Sequence, residues 1–158
     1  MSLKRKPFLF ITIGMVLFGA LLLLPMFAGE RLAFADARVE LGGHTFHTKV
    51  VKEDAERAKG LSDSRPLSKN QAMLFVFPFA DTHGIWMKDM RYAIDIIWLD
   101  EAQKVIHIQK EARPDSYPQV FKPEENAAYV LEVAAGSADS FGISVGKVAH
   151  ITYQKEEE

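Results

Sequence analysis

The side chains best placed to do chemistry in this sequence are charges set among apolar neighbours. Lys88 follows Trp86-Met87, Asp95 interrupts Ile94-Ile96-Ile97, and Glu132 stands between Leu131 and Val133. Burying an unpaired carboxylate costs several kcal/mol, so Asp95 requires a cation, a set of backbone N–H groups or a cavity wall. Arg57 and Lys88 are the expected cations. One reading is a pocket in which Trp86 offers a stacking face while Lys88, Asp95 and Arg57 orient a small polar ligand. The competing reading is a buried ion pair that fixes a turn or docks a helix. Glu132 either joins the same site or lies on the exposed face of an alternating strand. An enzymatic alternative pairs Asp95 with Glu132 as acid and base of a glycan hydrolase-like site, which needs carboxyl groups roughly 5 to 10 Å apart across an open cleft.

Other chemistries find less support. Cysteine is absent, which removes thiolate nucleophiles, Cys-ligated metals and disulfides. His44 and His47 are three apart, and on a strand they leave opposite faces, which is poor geometry for a shared metal. His83, near Trp86 and Asp81, has the chemistry of an acid, base or ligand, against the plainer reading of a solvated loop residue. Ser144-Val145-Gly146-Lys147 fits S-x-x-K, but it stands at a turn without the accompanying motifs and reads as chance. No G-x-S-x-G elbow, phosphate-binding Gly loop or H-E-x-x-H is present. No metal and no cofactor are expected. With 19 Lys+Arg against 21 Asp+Glu the chain lacks a basic field, so no nucleic-acid partner is expected.

The elements that must hold these residues are mostly strands. At 158 residues, 48% hydrophobic and 25% charged, the chain suits one packed core and no large multidomain enzyme. Arg38 to Leu41 and His44 to Val51, split by Gly42-Gly43, predict a hairpin. Lys52 to Leu61 predicts a helix, with acidic residues in its first turn, Gly60 at its end and a Glu53–Arg57 ion pair along one side. Ala72 to Phe77 is apolar on both faces, the mark of a buried strand stopped by Pro78, and Met73, Phe75, Phe77 and Phe79 read as core. Ile85 to Met87 is a short strand. Ala93 to Leu99 and Lys104 to Ile108 form a hairpin through Asp100-Glu101. Pro114, Pro118 and Pro123 mark a loop, and Tyr129 to Val133 and Gly146 to Tyr153 are late strands. The fold class is therefore mainly β, α+β at the margin: a compact β-sandwich or partly closed barrel with one short helix.

Ahead of this body, Lys4, Arg5 and Lys6 precede a stretch without charge from Pro7 to Ala28. As a helix, residues 8–28 would cover about 31 Å, enough to cross a bilayer. The basic cluster keeps the N-terminus inside and sends the body out, so the expected location is the cytoplasmic membrane, single-pass, with the domain outside. Ala33-Phe34-Ala35 also fits a signal-peptidase site, which would release a periplasmic or secreted chain from Asp36. The expected organisation is an anchor or signal at 1–35, one β domain at 36–153 and an acidic tail at 154–158. Beyond residue 35 the chain carries 15 Lys+Arg (19 less Lys4, Arg5, Lys6 and Arg31) and 20 Asp+Glu (21 less Glu30), about −5.

The ordered series Arg57-x-x-Gly60-Leu61, Met73-Leu74-Phe75-x-Phe77, Trp86-Met87-Lys88, Ile94-Asp95-Ile96 and Tyr129-Val130-Leu131-Glu132 with Gly136 resembles the uncharacterised DUF192, or UPF0127, family over about residues 38 to 152. The resemblance implies a compact, mainly β domain, often behind an export signal or anchor, and carries no activity with it. Departures stand at Ser62, Ala72 and Asp89-Met90. The functional expectation is a noncatalytic extracytoplasmic module that binds a small polar ligand or an envelope protein through Arg57, Trp86, Lys88, Asp95 and Glu132, and that touches the membrane through residues 8–28 when uncleaved.

Overall fold

A computed structural model describes residues 34–154, so the expected anchor at 8–28 and most of the acidic tail lie outside the described residues. Among the described residues no helix is long and apolar enough to cross a membrane. Nine strands among the described residues run in the order β1 (Ala37–Leu41), β2 (His44–Val51), β3 (Gln71–Asp81), β4 (Ile85–Trp86), β5 (Ile94–Leu99), β6 (Val105–Ala112), β7 (Val120–Phe121), β8 (Ala127–Ala134) and β9 (His150–Tyr153). Helix α1 (Asp54–Lys59) follows β2 and helix α2 (Ser137–Ser140) follows β8. Seven strands form one sheet in the order β6-β5-β8-β3-β2-β1-β9, and β4 pairs with β7 in a separate ribbon. Only β2 and β3 run parallel in the large sheet, with α1 carrying the chain between them.

The sheet has two buried faces. Ala37, Val39, Phe46, Leu74, Leu131, Ile97 and Val105, drawn from six strands, share one core with Ala138, Ile143 and Ala149, so the sheet curls around this inner face. The outer face of its central strands carries Met73, Phe75, Ile96, Trp98 and Val130, covered by Ile85, Met87, Leu61 and Leu67. Central strands covered on both sides read as unbroken apolar runs, and all six residues of β5 are buried. The sheet is not closed into a barrel: β6 and β9 share no ladder. Their edges are tied at one place, where Val105 N–H donates to the Lys147 carbonyl at 2.7 Å and Ala149 N–H to that of Gln103 at 2.8 Å.

Local sequence explains several of these elements. Leu41 faces His44 across Gly42 and Gly43, whose φ angles of 64° and 77° are both positive, the requirement of a two-residue hairpin turn with the right twist. Helix α1 is shorter than expected, and Arg57 pairs with Asp54 rather than with Glu53, whose side chain serves the N-terminal capping box with Glu56. Strand β3 runs past Pro78 to Asp81. Its ladder with β8 breaks between Val76 and Asp81, so the missing proline N–H has no partner to leave unpaired. In that unpaired stretch Phe79 is 65% exposed, a correction to its expected place in the core. The loop after β6 contains β7, and the expected count of one helix is exceeded by α2, four residues long.

Candidate functional site

Glu132 sits in the middle of β8, between β3 and β5, facing Met73 on one side and Ile96 on the other. Both neighbours belong to the outer core, so the Glu132 side chain leaves the sheet on its outer face. The residue is 4% exposed, and its Oε2 has no hydrogen-bond partner among the described residues. Burial pushes the carboxyl from an ordinary 4.5 up to about 8. At neutral pH it is therefore a neutral acid, able to donate one O–H bond.

Above Glu132 lies a cavity of about 200 Å³, lined by Arg57 and Gly60 from α1 and its end, Phe75 and Phe77 from β3, and Gly84, Ile85 and Trp86 from the approach to β4 and β4 itself. Leu61, Ser62 and Met90 complete the wall. Arg57 is fixed in place: its guanidinium donates to the Lys52 and Val76 carbonyls, the latter at 3.1 Å, pairs with Asp54, and lies 5.3 Å from the Phe77 ring centroid. These bonds hold the helix end against β3. Gly60 adopts φ 50°, and a Cβ there would come within 3.3 Å of the Phe75 ring. Trp86, 48% exposed, stands at the cavity mouth with its ring edge-on to Tyr117 at 6.2 Å.

Three of the five expected site residues, Arg57, Trp86 and Glu132, thus meet at one cavity. Asp95 and Lys88 do not. Asp95 lies between Ile94 and Ile96, which face the outer core, so its own side chain leaves the inner face, where it is fully buried. There its two oxygens accept the Glu111 N–H at 2.9 Å and the Ala138 N–H at 2.8 Å. The expected cation partner is replaced by backbone: Asp95 satisfies a free donor in the first turn of α2 and fixes the far end of β6. Asp95 and Glu132 occupy opposite faces of the sheet, and the expected acid/base pair is not assembled. Lys88 is exposed, and its carbonyl accepts the Ser62 hydroxyl at 2.9 Å.

His83 stacks on Phe77 with centroids 3.6 Å apart and its Nε2 lies 2.9 Å from the Phe79 carbonyl, so it buttresses a cavity wall. His44 stacks on Phe141 at 3.7 Å, away from His47. Among the described residues no group of His, Cys, Asp and Glu is arranged to hold a metal. Tyr92 went unnoticed in the sequence. Its hydroxyl lies 2.6 Å from Ser64 Oγ, and burial raises its pKa, opposed by that hydrogen bond and aided by the Glu132 charge. Nothing in an i-to-j spacing marks it, because its link to Glu132 runs across the sheet.

Fold and cavity together define a small, mainly β domain with one buried acidic group beneath an aromatic-walled opening. The chain belongs to the DUF192 family, described as "Uncharacterized ACR", whose model matches residues 37–151. Curated relatives include UPF0127 proteins from Thermococcus gammatolerans, 28% identical over 123 residues (74% of this chain, 76% of the relative), and from Thermococcus kodakarensis, 28% identical over 124 residues (75% and 74%). A crystal structure from Sinorhizobium meliloti 1021, named as a candidate transcription regulator, superposes with a TM-score of 0.70 at 25% identity, covering 77% of this chain and 97% of that one. Another, a protein of unknown function from Novosphingobium aromaticivorans DSM 12444, gives 0.67 at 26% identity, covering 73% and 83%.

Proposed function

We propose that this chain is an extracytoplasmic, membrane-anchored module that binds a small molecule in the cavity over Glu132, without chemistry of its own. One observation carries the binding reading: a side chain buried to 96% ends in an oxygen without a partner, and that side chain helps line an open cavity. A buried polar atom without a partner costs about 1–3 kcal/mol, a cost that a ligand's hydrogen bond would remove. The aromatic walls suit an apolar ligand body. The separation of Asp95 from Glu132 leaves the hydrolase alternative without its second carboxyl. The exported location is supported by Lys4, Arg5 and Lys6 ahead of the uncharged stretch.

A fragment screen read by amide and side-chain chemical shifts tests the binding reading. Binders are expected to move the resonances of Gly60, Phe75 and Glu132 and to change Trp86 fluorescence while the buried Trp98 stays constant. A screen whose binders all map elsewhere, or that finds none at millimolar concentration, overturns it. Protease added to intact spheroplasts should degrade the domain, and protection from it would refute the topology.

A further inference from the structure

The cavity's polar groups say more than that something binds. Its volume of about 200 Å³ is of the size that accepts one ring, since an engineered cavity of roughly 150 Å³ binds benzene. Phe75, Phe77 and Ile85 supply flat apolar walls. Of the wall's polar side chains, Ser62 donates its hydroxyl to the Lys88 carbonyl. Arg57 carries five N–H donors, of which its bonds to Lys52, Val76 and Asp54 use three. The charged groups lining the opening, Arg57 and Lys59, are both cations from α1, and the Asp54 carboxylate of the same helix is paired to Arg57. The titratable neighbour on the far side is Tyr92, from the loop before β5. The β3 and β5 residues beside Glu132 are Met73 and Ile96, which bring no charge.

We infer that the cavity takes a ligand of single-ring size bearing an oxygen acceptor, a carbonyl or a carboxylate, and that this oxygen docks on the Glu132 carboxyl. This deepens the binding-module reading and rests on it. A neutral carboxyl donates to such an oxygen, and Arg57, which keeps unused N–H donors beside its pair with Asp54, favours an oxygen that carries full or partial negative charge. An ammonium ligand would have to pass Arg57 and Lys59 to reach Glu132. Above about pH 8 the Glu132 proton leaves, the donor is lost, and a carboxylate faces the ligand oxygen.

Benzamide, benzoate and benzylamine share one ring and differ in the group presented, so titrating each into the full chain at pH 6.5 and pH 9, followed by chemical shifts, tests this. At pH 6.5 benzamide and benzoate should bind at the cavity at least about tenfold more tightly than benzylamine, and benzamide should weaken by about tenfold at pH 9. Glu132→Gln, which retains an N–H donor, should keep benzamide binding and lose its pH dependence. Glu132→Leu should abolish it, with the folded state of each variant checked by its spectrum. Tighter binding of benzylamine at the same cavity overturns the ligand class and leaves the module reading standing. A pH dependence that persists in Glu132→Gln overturns the role of Glu132. If none of the three probes moves a cavity resonance, the ligand class is overturned, and the fragment screen decides the module reading.

Discussion

Two carboxylates in near-identical settings are held by opposite means, and the difference should be measurable. Asp95 stabilises the fold by accepting two backbone N–H bonds, from Glu111 in β6 and Ala138 in α2. Asp95→Ala should therefore cost at least about 3 kcal/mol, since each hydrogen bond to a charged group contributes roughly 1.5–3 kcal/mol, and Asp95→Asn should cost less because one acceptor remains. Urea melts of the two variants decide it, and equal losses would show that packing rather than hydrogen bonding is at stake. Glu132 is stabilised as an acid. Its folded pKa of about 8 exceeds the ordinary 4.5, so the native state holds a proton that the unfolded chain has lost over that interval. Its contribution is complete below about pH 4.5 and is lost as pH rises through 8, at about 1.4 kcal/mol per unit. Glu132→Gln should flatten the decline between pH 5 and 8 and gain on the wild type toward pH 8, as read from urea midpoints. A variant whose stability falls with pH as steeply as the wild type would refute the raised pKa. That both residues need partners was legible from their apolar neighbours. Which face each one uses was not, because that depends on the register of β5 against β8, set by residues 30 to 40 positions apart.

At the scale of elements, the β1–β2 turn does more than reverse the chain. A Cβ on Gly42 would lie 2.4 Å from the Phe141 carbonyl oxygen and 2.9 Å from Ile143, whereas one on Gly43 would meet nothing within 4 Å. Both glycines have positive φ, so Ala costs each about 1–2 kcal/mol of backbone strain. Gly42→Ala should add a clash with backbone that cannot move freely, and should destabilise by at least about 2 kcal/mol more than Gly43→Ala. Equal effects would mean that the loop after α2 does not rest on the turn. The Gly pair predicted this hairpin because its signal is local, and so did Asp100-Glu101 for β5–β6. Elements without a local signal were missed: α2 has four residues and takes its first-turn acceptor from Asp95, and β7 has two residues and exists through pairing with β4. The length of β3 was misjudged for a related reason, since Pro78 ends a strand only where the ladder needs its N–H. The cavity is the extreme case. It joins the end of α1, β3, β4 and β8, and only the aromatic and Arg57 motifs hinted at its members.

The whole molecule raises the question of how the body meets what precedes it. Phe34, just ahead of β1, is half-buried and packs against the outer core, the same cluster that contains Phe75 and Ile85 of the cavity wall. A cut after Ala35 would remove it from that contact. Half the burial of a phenylalanine is worth about 1 kcal/mol, so Phe34→Ala should lower the melting temperature by about 4 °C. In the anchored reading the five residues 29–33 span at most roughly 17 Å, which holds Phe34 and the start of β1 close to the bilayer surface. The ligand source would then be whatever reaches that surface, and the exposed Trp86, Tyr117 and Val120 near the mouth suit a headgroup region. Mass spectrometry of the chain recovered from membranes should find Phe34 retained together with residues 8–28. A mature N-terminus at Asp36 would break the link between anchor and cavity, and would leave the domain to find its ligand in free solution.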